Sequence, residues 1–165
     1  MARYTGIRNN LNRIKKLLID KMLMNEELVK VLYYPDESDP FNMPYPEDIG
    51  SLINKYIFKT NKAVGTITER GIFIFIKFMQ RPSSSSGVYR DVDIMFEVLA
   101  HNESIDNLED GDDRMLLVLD LIDDMVVNSR AEEWLGKVKY VGEYEINANT
   151  NFTGTRLVYR ITQFS

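Results

Sequence analysis

"IFIFIKFMQ", residues 72–80, is the stretch whose reading decides the fold. Successive side chains of a strand point to opposite faces. Ile72, Ile74, Ile76 and Phe78 therefore share one side, and Phe73, Phe75 and Met79 share the other, with Lys77 the single polar residue among them. A strand apolar on both sides has to be covered on both. Working outward, "AVGTITE" at 63–69 reads as a strand turning through Gly71 into this one. On the other side "RPSSSSG", 81–87, is low-complexity and reads as a mobile loop. "VYRDVDIMFEVLA", 88–100, then alternates. Val88, Val92, Ile94, Phe96 and Val98 form its apolar face, with Arg90 as the exception, while Asp91, Asp93, Met95 and Glu97 look outward.

The flanks supply helices and a closing pair of strands. In "NNLNRIKKLLIDKMLMNEELVKVLYY" the apolar residues Leu11, Ile14, Leu18, Met22, Leu28, Val31 and Leu32 recur at helical spacing, and Asn25-Glu26-Glu27 marks a break and a new N-cap. Pro35, Pro40, Pro44 and Pro46 exclude a helix or central strand and predict a long connecting loop. After Gly111, Met115, Leu119, Ile122 and Val126 make an apolar stripe widened by Val118 and Met125, with Asp113, Asp120 and Asp124 opposite. Asp110 or Asp112 is the expected N-cap of this helix, 112–127. Ser129 and Glu132 form a capping box, Gly136 a stop, and Trp134 a plug at the core edge. Val138, Tyr140, Tyr144 and Ile146 share one face of a further strand, as do Leu157, Tyr159 and Ile161 of the last, with "NANTNFTG" as the loop between. The sum is an α+β fold, a mostly antiparallel sheet with helices packed on one face, in one domain over residues 1–165. It divides into a helical region 1–34, a Pro-rich loop 35–55 and the sheet with its helix at 56–165. Lys137, Lys139, Glu143, Glu145, Arg156 and Arg160 share the second face with the outward acids, so opposite charges can pair across strands.

Composition narrows the function. The chain is 44% hydrophobic with a net charge of −5, which disfavours a general DNA-binding surface. It has no cysteine, hence no disulfide framework, thiol nucleophile or cysteine zinc site, and a single histidine, His101, which excludes a multi-His centre within one chain. Its longest apolar run is too short to span a bilayer, and "MARYTGIRNN" lacks an apolar signal core, so synthesis in the cytoplasm and no membrane partner are expected. The acidic run "HNESIDNLEDGDDRM", 101–115, fails as a calcium loop. With Gly111 at position 6, the ligand positions 3 and 12 fall on Leu108 and Leu117. Asp91 and Asp93 after Ser86-Gly87 superficially match the Asp-x-Asp of metal-dependent nucleotidyltransferases, but the order is reversed and no helix fits between. Both acids are therefore expected to be replaceable with little effect. No nucleophile elbow, P-loop or dinucleotide fingerprint occurs. Neither a catalytic residue, a metal site nor a cofactor is expected, and the chain is not expected to be an enzyme.

The order of segments resembles the tail-terminator family of long-tailed bacteriophages. The strand "VDIMFEVLAH", an acidic turn, the helix "DRMLLVLDLIDDMV" and the final strand "TRLVYRITQF" carry the likeness, and the N-terminal helix before a Pro-containing loop suits it. Residues 35–87 carry it poorly. The resemblance implies a virion protein of the tail neck, made in the host cytoplasm. Copies close into a ring, usually a hexamer, that caps the tail tube, ends its polymerisation and meets the head-completion or connector protein, while DNA passes without specific binding. Another neck or head-completion protein, and a small metal-dependent nucleotidyltransferase, are the alternatives. Under this reading Phe73, Phe75 and Met79 are the candidate subunit interface, since a neighbouring copy can cover the second face of 72–79. The N-terminal helices or residues 35–56 are the competing cover. Arg81, Ser83, Ser84, Ser85 and Ser86 form the candidate mobile partner-contact loop.

Overall fold

The computed structural model describes residues 7–59, 67, 69–81, 89–103, 108–109, 111–128 and 135–164. Two helices open the chain, α1 (Ile7–Met24) and α2 (Glu26–Tyr33). They break where the capping signal lies: the Asn25 side chain accepts from the Leu28 N–H at 3.0 Å. The Pro-rich connection follows as a loop with two 3-10 turns, Pro40–Asn42 and Ile49–Leu52. Then come β1 (Ile57–Phe58), β2 (Ile72–Gln80), β3 (Tyr89–His101), α3 (Arg114–Asp123), β4 (Val138–Asn149) and β5 (Phe152–Phe164). The strands form one sheet in the order β1-β2-β3-β5-β4. Only β1–β2 is parallel, so the fold is α+β with a mostly antiparallel sheet.

Helices cover one face. Val118, Leu119, Ile122 and Val126 of the α3 region, and Leu11, Ile14, Leu18 and Met22 of α1, are buried in a single core. That core includes Ile72, Ile74 and Ile76, Val92 to Val98 at alternate positions, and Leu157, Tyr159 and Ile161. The cross-strand registers place these sheet residues on the same side. The N-cap of α3 is Asp113, whose Oδ1 accepts from the N–H groups of Met115 at 2.8 Å and Leu116 at 2.9 Å. Asp110 or Asp112 is the expected cap; the cap goes instead to the residue whose carboxylate reaches two of the free N–H groups of the first turn. The helix relaxes after Asp123 into a π-helical turn, Asp124–Asn128, which keeps Met125 and Val126 buried.

Two expectations about strands need correction, and a third falls largely on residues that are not described. The partner found for the start of β2 is β1, a two-residue parallel strand, with the Ile74 N–H donating to the Tyr56 carbonyl at 2.7 Å. The hairpin sought at 63–69 lies largely outside the described residues. The "NANTNFTG" loop is mostly strand, since β4 runs to Asn149 and β5 resumes at Phe152. Finally, Val138, Tyr140, Tyr144 and Ile146 do not share one face. A bulge between Tyr140 and Gly142 inserts a residue, so Tyr140 pairs with Tyr159 on the helix side and Tyr144 with Arg156 on the other, and Glu143 and Glu145, expected on the second face, fall on the helix side opposite Leu157 and Thr155.

Candidate functional site

The second face of the sheet splits into two ends. At one end Tyr56, Phe58, Phe73, Phe75 and Phe152 meet ring to ring: Phe58 stacks on Phe75 at 4.9 Å, and Phe73 lies 5.5 Å from Tyr56 and 5.8 Å from Phe152. Gly154 is required here, because a Cβ would run into the Val98 carbonyl and the Leu99 backbone. Phe73 and Phe75 are 1% and 2% exposed within the single chain. Of the three residues expected at a subunit interface, only Met79 reaches the surface, at 44% exposed. The cover for the two phenylalanines is thus intramolecular, as in the competing expectation, although neither the N-terminal helices nor residues 35–56 alone supply it. Ile67 packs against the same core, and Tyr56, Phe58 and Phe152 flank the rings.

At the other end the face is ionic. Asp93, expected to look into solvent, is fully buried, and Glu97 is 6% exposed. Arg160, directly opposite on β5, donates from Nε to Asp93 Oδ1 at 2.8 Å, and Arg81, just past β2, donates from Nε to Oδ2 at 2.8 Å. Arg156 donates twice to Glu97 Oε1, at 3.0 and 2.6 Å, and Lys77 donates to its other oxygen. Long cationic side chains lie over the shorter acids and exclude water from them while their own heads stay partly wet. Burial alone raises the Asp93 carboxyl, but hydrogen bonds from Arg160 and then Arg81 outweigh it and leave it below its ordinary value. Both Asp93 oxygens are thereby engaged, and Asp91 accepts instead from the Thr162 hydroxyl at 2.9 Å. Among the described residues no group of three His, Cys, Asp or Glu side chains is placed to hold a metal ion. The expected cross-strand pairing is present; the expected exposure of Asp93 and Glu97 is not. Of the expected contact loop, Arg81 is held by Asp93, and Ser83 to Ser86 lie outside the described residues, as does Trp134.

On the helix side a cleft of about 250 Å³ opens between α3 and β4, lined by Leu119, Asp120, Asp123, Val127, Tyr140, Glu143 and Leu157. Beneath it the buried Tyr159 hydroxyl donates to Asp123. That phenol is driven far up from its ordinary value, first by burial and then by its bond to Asp123. Tyr140, half-exposed at the cleft wall, is also raised, by desolvation and then by the field of Glu143 and Asp123. The cleft is therefore an electronegative rim over an apolar floor.

A family model, YomW, matches residues 25–161. The chain belongs to the YomW family. The family takes its name from a gene in a Bacillus phage region, which makes this a phage-associated protein. No curated protein matches the chain. No described helix is long and apolar enough to cross a membrane. The YomW match runs from the N-cap of α2 nearly to the end of β5, so it spans both ends of the second face and the α3–β4 cleft.

One structural residue of this YomW chain escaped the sequence reading altogether. Arg114, the first residue of α3, is buried and donates to the carbonyls of Val31 at 3.1 Å and Tyr34 at 3.0 Å, and to that of Glu37. It closes the C-terminal carbonyls of α2 with a positive charge and ties the Pro-rich loop to α3. Desolvation lowers its pKa, with Asp36 opposing. In the sequence it stands as an ordinary cation in an acidic run; its partners lie about eighty positions upstream, where no local pattern points to them.

Proposed function

We propose that this phage-associated protein is a tail terminator, a ring of copies that caps the tail tube, stops its growth and presents a surface to the head connector. The observation that carries this reading is how the resembling segments sit together. The strand "VDIMFEVLAH" lies in β3, the segment "DRMLLVLDLIDDMV" covers the N-cap of α3, α3 itself and the start of the π-helical turn, and the strand "TRLVYRITQF" lies in β5. β3 and β5 pair over their whole lengths, and α3 is bound to β5 through Tyr159 and Asp123. The segments that gave the likeness thus make up the centre of the fold as one packed unit. The described ionisable groups support a role in recognition: Asp93, Glu97 and Arg114 are consumed by internal pairs or caps. DNA passing such a ring would meet copies each carrying −5, which repel rather than hold it.

The test is tube length. Tail-tube protein polymerised with this chain should give tubes stopped at one end by a bound ring, and electron microscopy with sedimentation mass would count the copies. Tubes of unaltered length, with the chain bound to a connector instead, would move it to head completion. Magnesium-dependent nucleotide transfer abolished by Asp91→Ala would move it to the enzymes.

A further inference from the structure

The helix-covered side of the molecule is electrically divided. α1 lies at the β1–β2 edge, where the Lys15 ammonium donates to the Lys59 carbonyl and sits 5.3 Å from the centre of the Phe78 ring. The side of α1 turned from the core carries Arg13, Lys16, Asp20 and Met24 at three-to-four spacing. Arg13 and Lys16 are exposed, and Met24 is 76% exposed, more than any other large apolar side chain described. The α3–β4 cleft lies at the opposite edge of the sheet, with exposed Asp120 and Glu143 on its rim, and Val127 and Tyr140 half-exposed above Leu119 and Leu157.

We propose that this cleft seats the Arg13–Met24 stripe of a second copy of the chain, giving a head-to-tail contact that repeats around the ring. The inference rests on the ring reading above and names its interface. A head-to-tail contact uses two different patches, so every copy offers one to each neighbour and the chain of contacts can close. The two patches lie at opposite edges and carry opposite net charge, Arg13 and Lys16 outweighing Asp20 on the stripe, as such an arrangement requires. A two-fold contact through either patch would set acids against acids or cations against cations. Copies that each carry −5 repel at a distance, so a local cationic patch facing a local acidic one is what brings like chains together. The apolar parts also correspond: a flexible, unbranched Met24 suits a shallow cleft with an apolar floor.

The experiment is paired charge reversal in the full chain, followed by sedimentation velocity over a range of concentrations. Arg13→Glu with Lys16→Glu, and separately Asp120→Lys with Glu143→Lys, should each weaken association by about tenfold or more. The four changes together should restore it. All four positions are exposed, so thermal melts should match that of the unmodified chain. Reversals that assemble like the unmodified chain, or a fourfold variant that does not recover, overturn the interface and leave the ring reading standing. If the unmodified chain is monomeric in solution, the same variants are scored for tube capping, with the same outcomes. An unmodified chain that neither assembles nor caps tubes defeats the ring reading itself.

Discussion

The two ends of the second sheet face are built on the same three strands and solved in opposite ways. At the Phe73–Phe152 end, burial is by interlocking rings; at the Asp93–Glu97 end, it is by acids held under arginine and lysine stems. The rings at one end and the acids at the other are both kept from water, yet the physics differs. Rings gain free energy from the neighbours they touch, and an anion buried among them finds no partner. A buried carboxylate gains only if its cations stay in place, and loses heavily if one side of the pair is removed. The aromatic end is therefore a packing problem, and the ionic end a problem of partner and register.

Substitutions that cross this divide should have the largest effect. Phe73→Asp puts an unpaired carboxylate against the rings of Tyr56, Phe58 and Phe152, and we expect it to unfold the chain, read as loss of a cooperative thermal transition. A folded, cooperative monomer that fails to assemble would mean that the aromatic end is an interface after all. Phe73→Ala should cost about 3–5 kcal/mol in denaturant unfolding. Gly154→Ala belongs to the same end and should cost about 1–3 kcal/mol, because the strand must shift to clear the Val98 carbonyl.

The ionic end should respond less, since its cations reach solvent. Asp93→Ala should destabilise by about 2–3 kcal/mol, below the range for fully buried pairs because Arg81 and Arg160 are partly exposed. This replaces the expectation of a near-neutral change drawn from strand alternation. The effect should also depend on pH. Asp93 has a depressed folded pKa, so its contribution is full above the unfolded carboxylate value of about 3.9 and fades as pH falls through the lower folded value. Denaturation midpoints of the unmodified chain and Asp93→Asn should thus converge in strong acid; a constant gap would show that the carboxylate's charge is not what matters. The smallest effect should be at Asp91→Ala, within about 0.5 kcal/mol, because Asp91 is only half-buried and accepts from the neutral Thr162 hydroxyl. A cost equal to that of Asp93→Ala would break the distinction between the two acids.

Much of the fold is readable along the chain. The α1–α2 break needs only Asn25 and its cap, and the apolar stripe of α3 and the double face of β2 need only their own periods. The functional surface is less so. Asp93 and Asp91 share a face and a spacing, and nothing local says that one lies under two guanidiniums while the other meets a threonine. Tyr140 and Tyr144 keep even spacing, and only the bulge at Val141 sends them to opposite sides.

The sequence by itself determined the helices, the long strands, the loop at the prolines and the α+β class. These follow from residues two, three and four apart, whose contacts a single segment makes alone. Only the tertiary structure decided which charges are buried, which aromatic rings are internal, where the buried Arg114 finds its carbonyls and that an acidic cleft stands at the edge opposite a basic helix. Each of these is a meeting of residues distant in the chain, such as Asp93 with Arg160, Tyr159 with Asp123 or Arg114 with Val31. The free energy of such a contact depends on the burial and register of both partners, and neither quantity exists until the sheet has paired and the helices have closed over it.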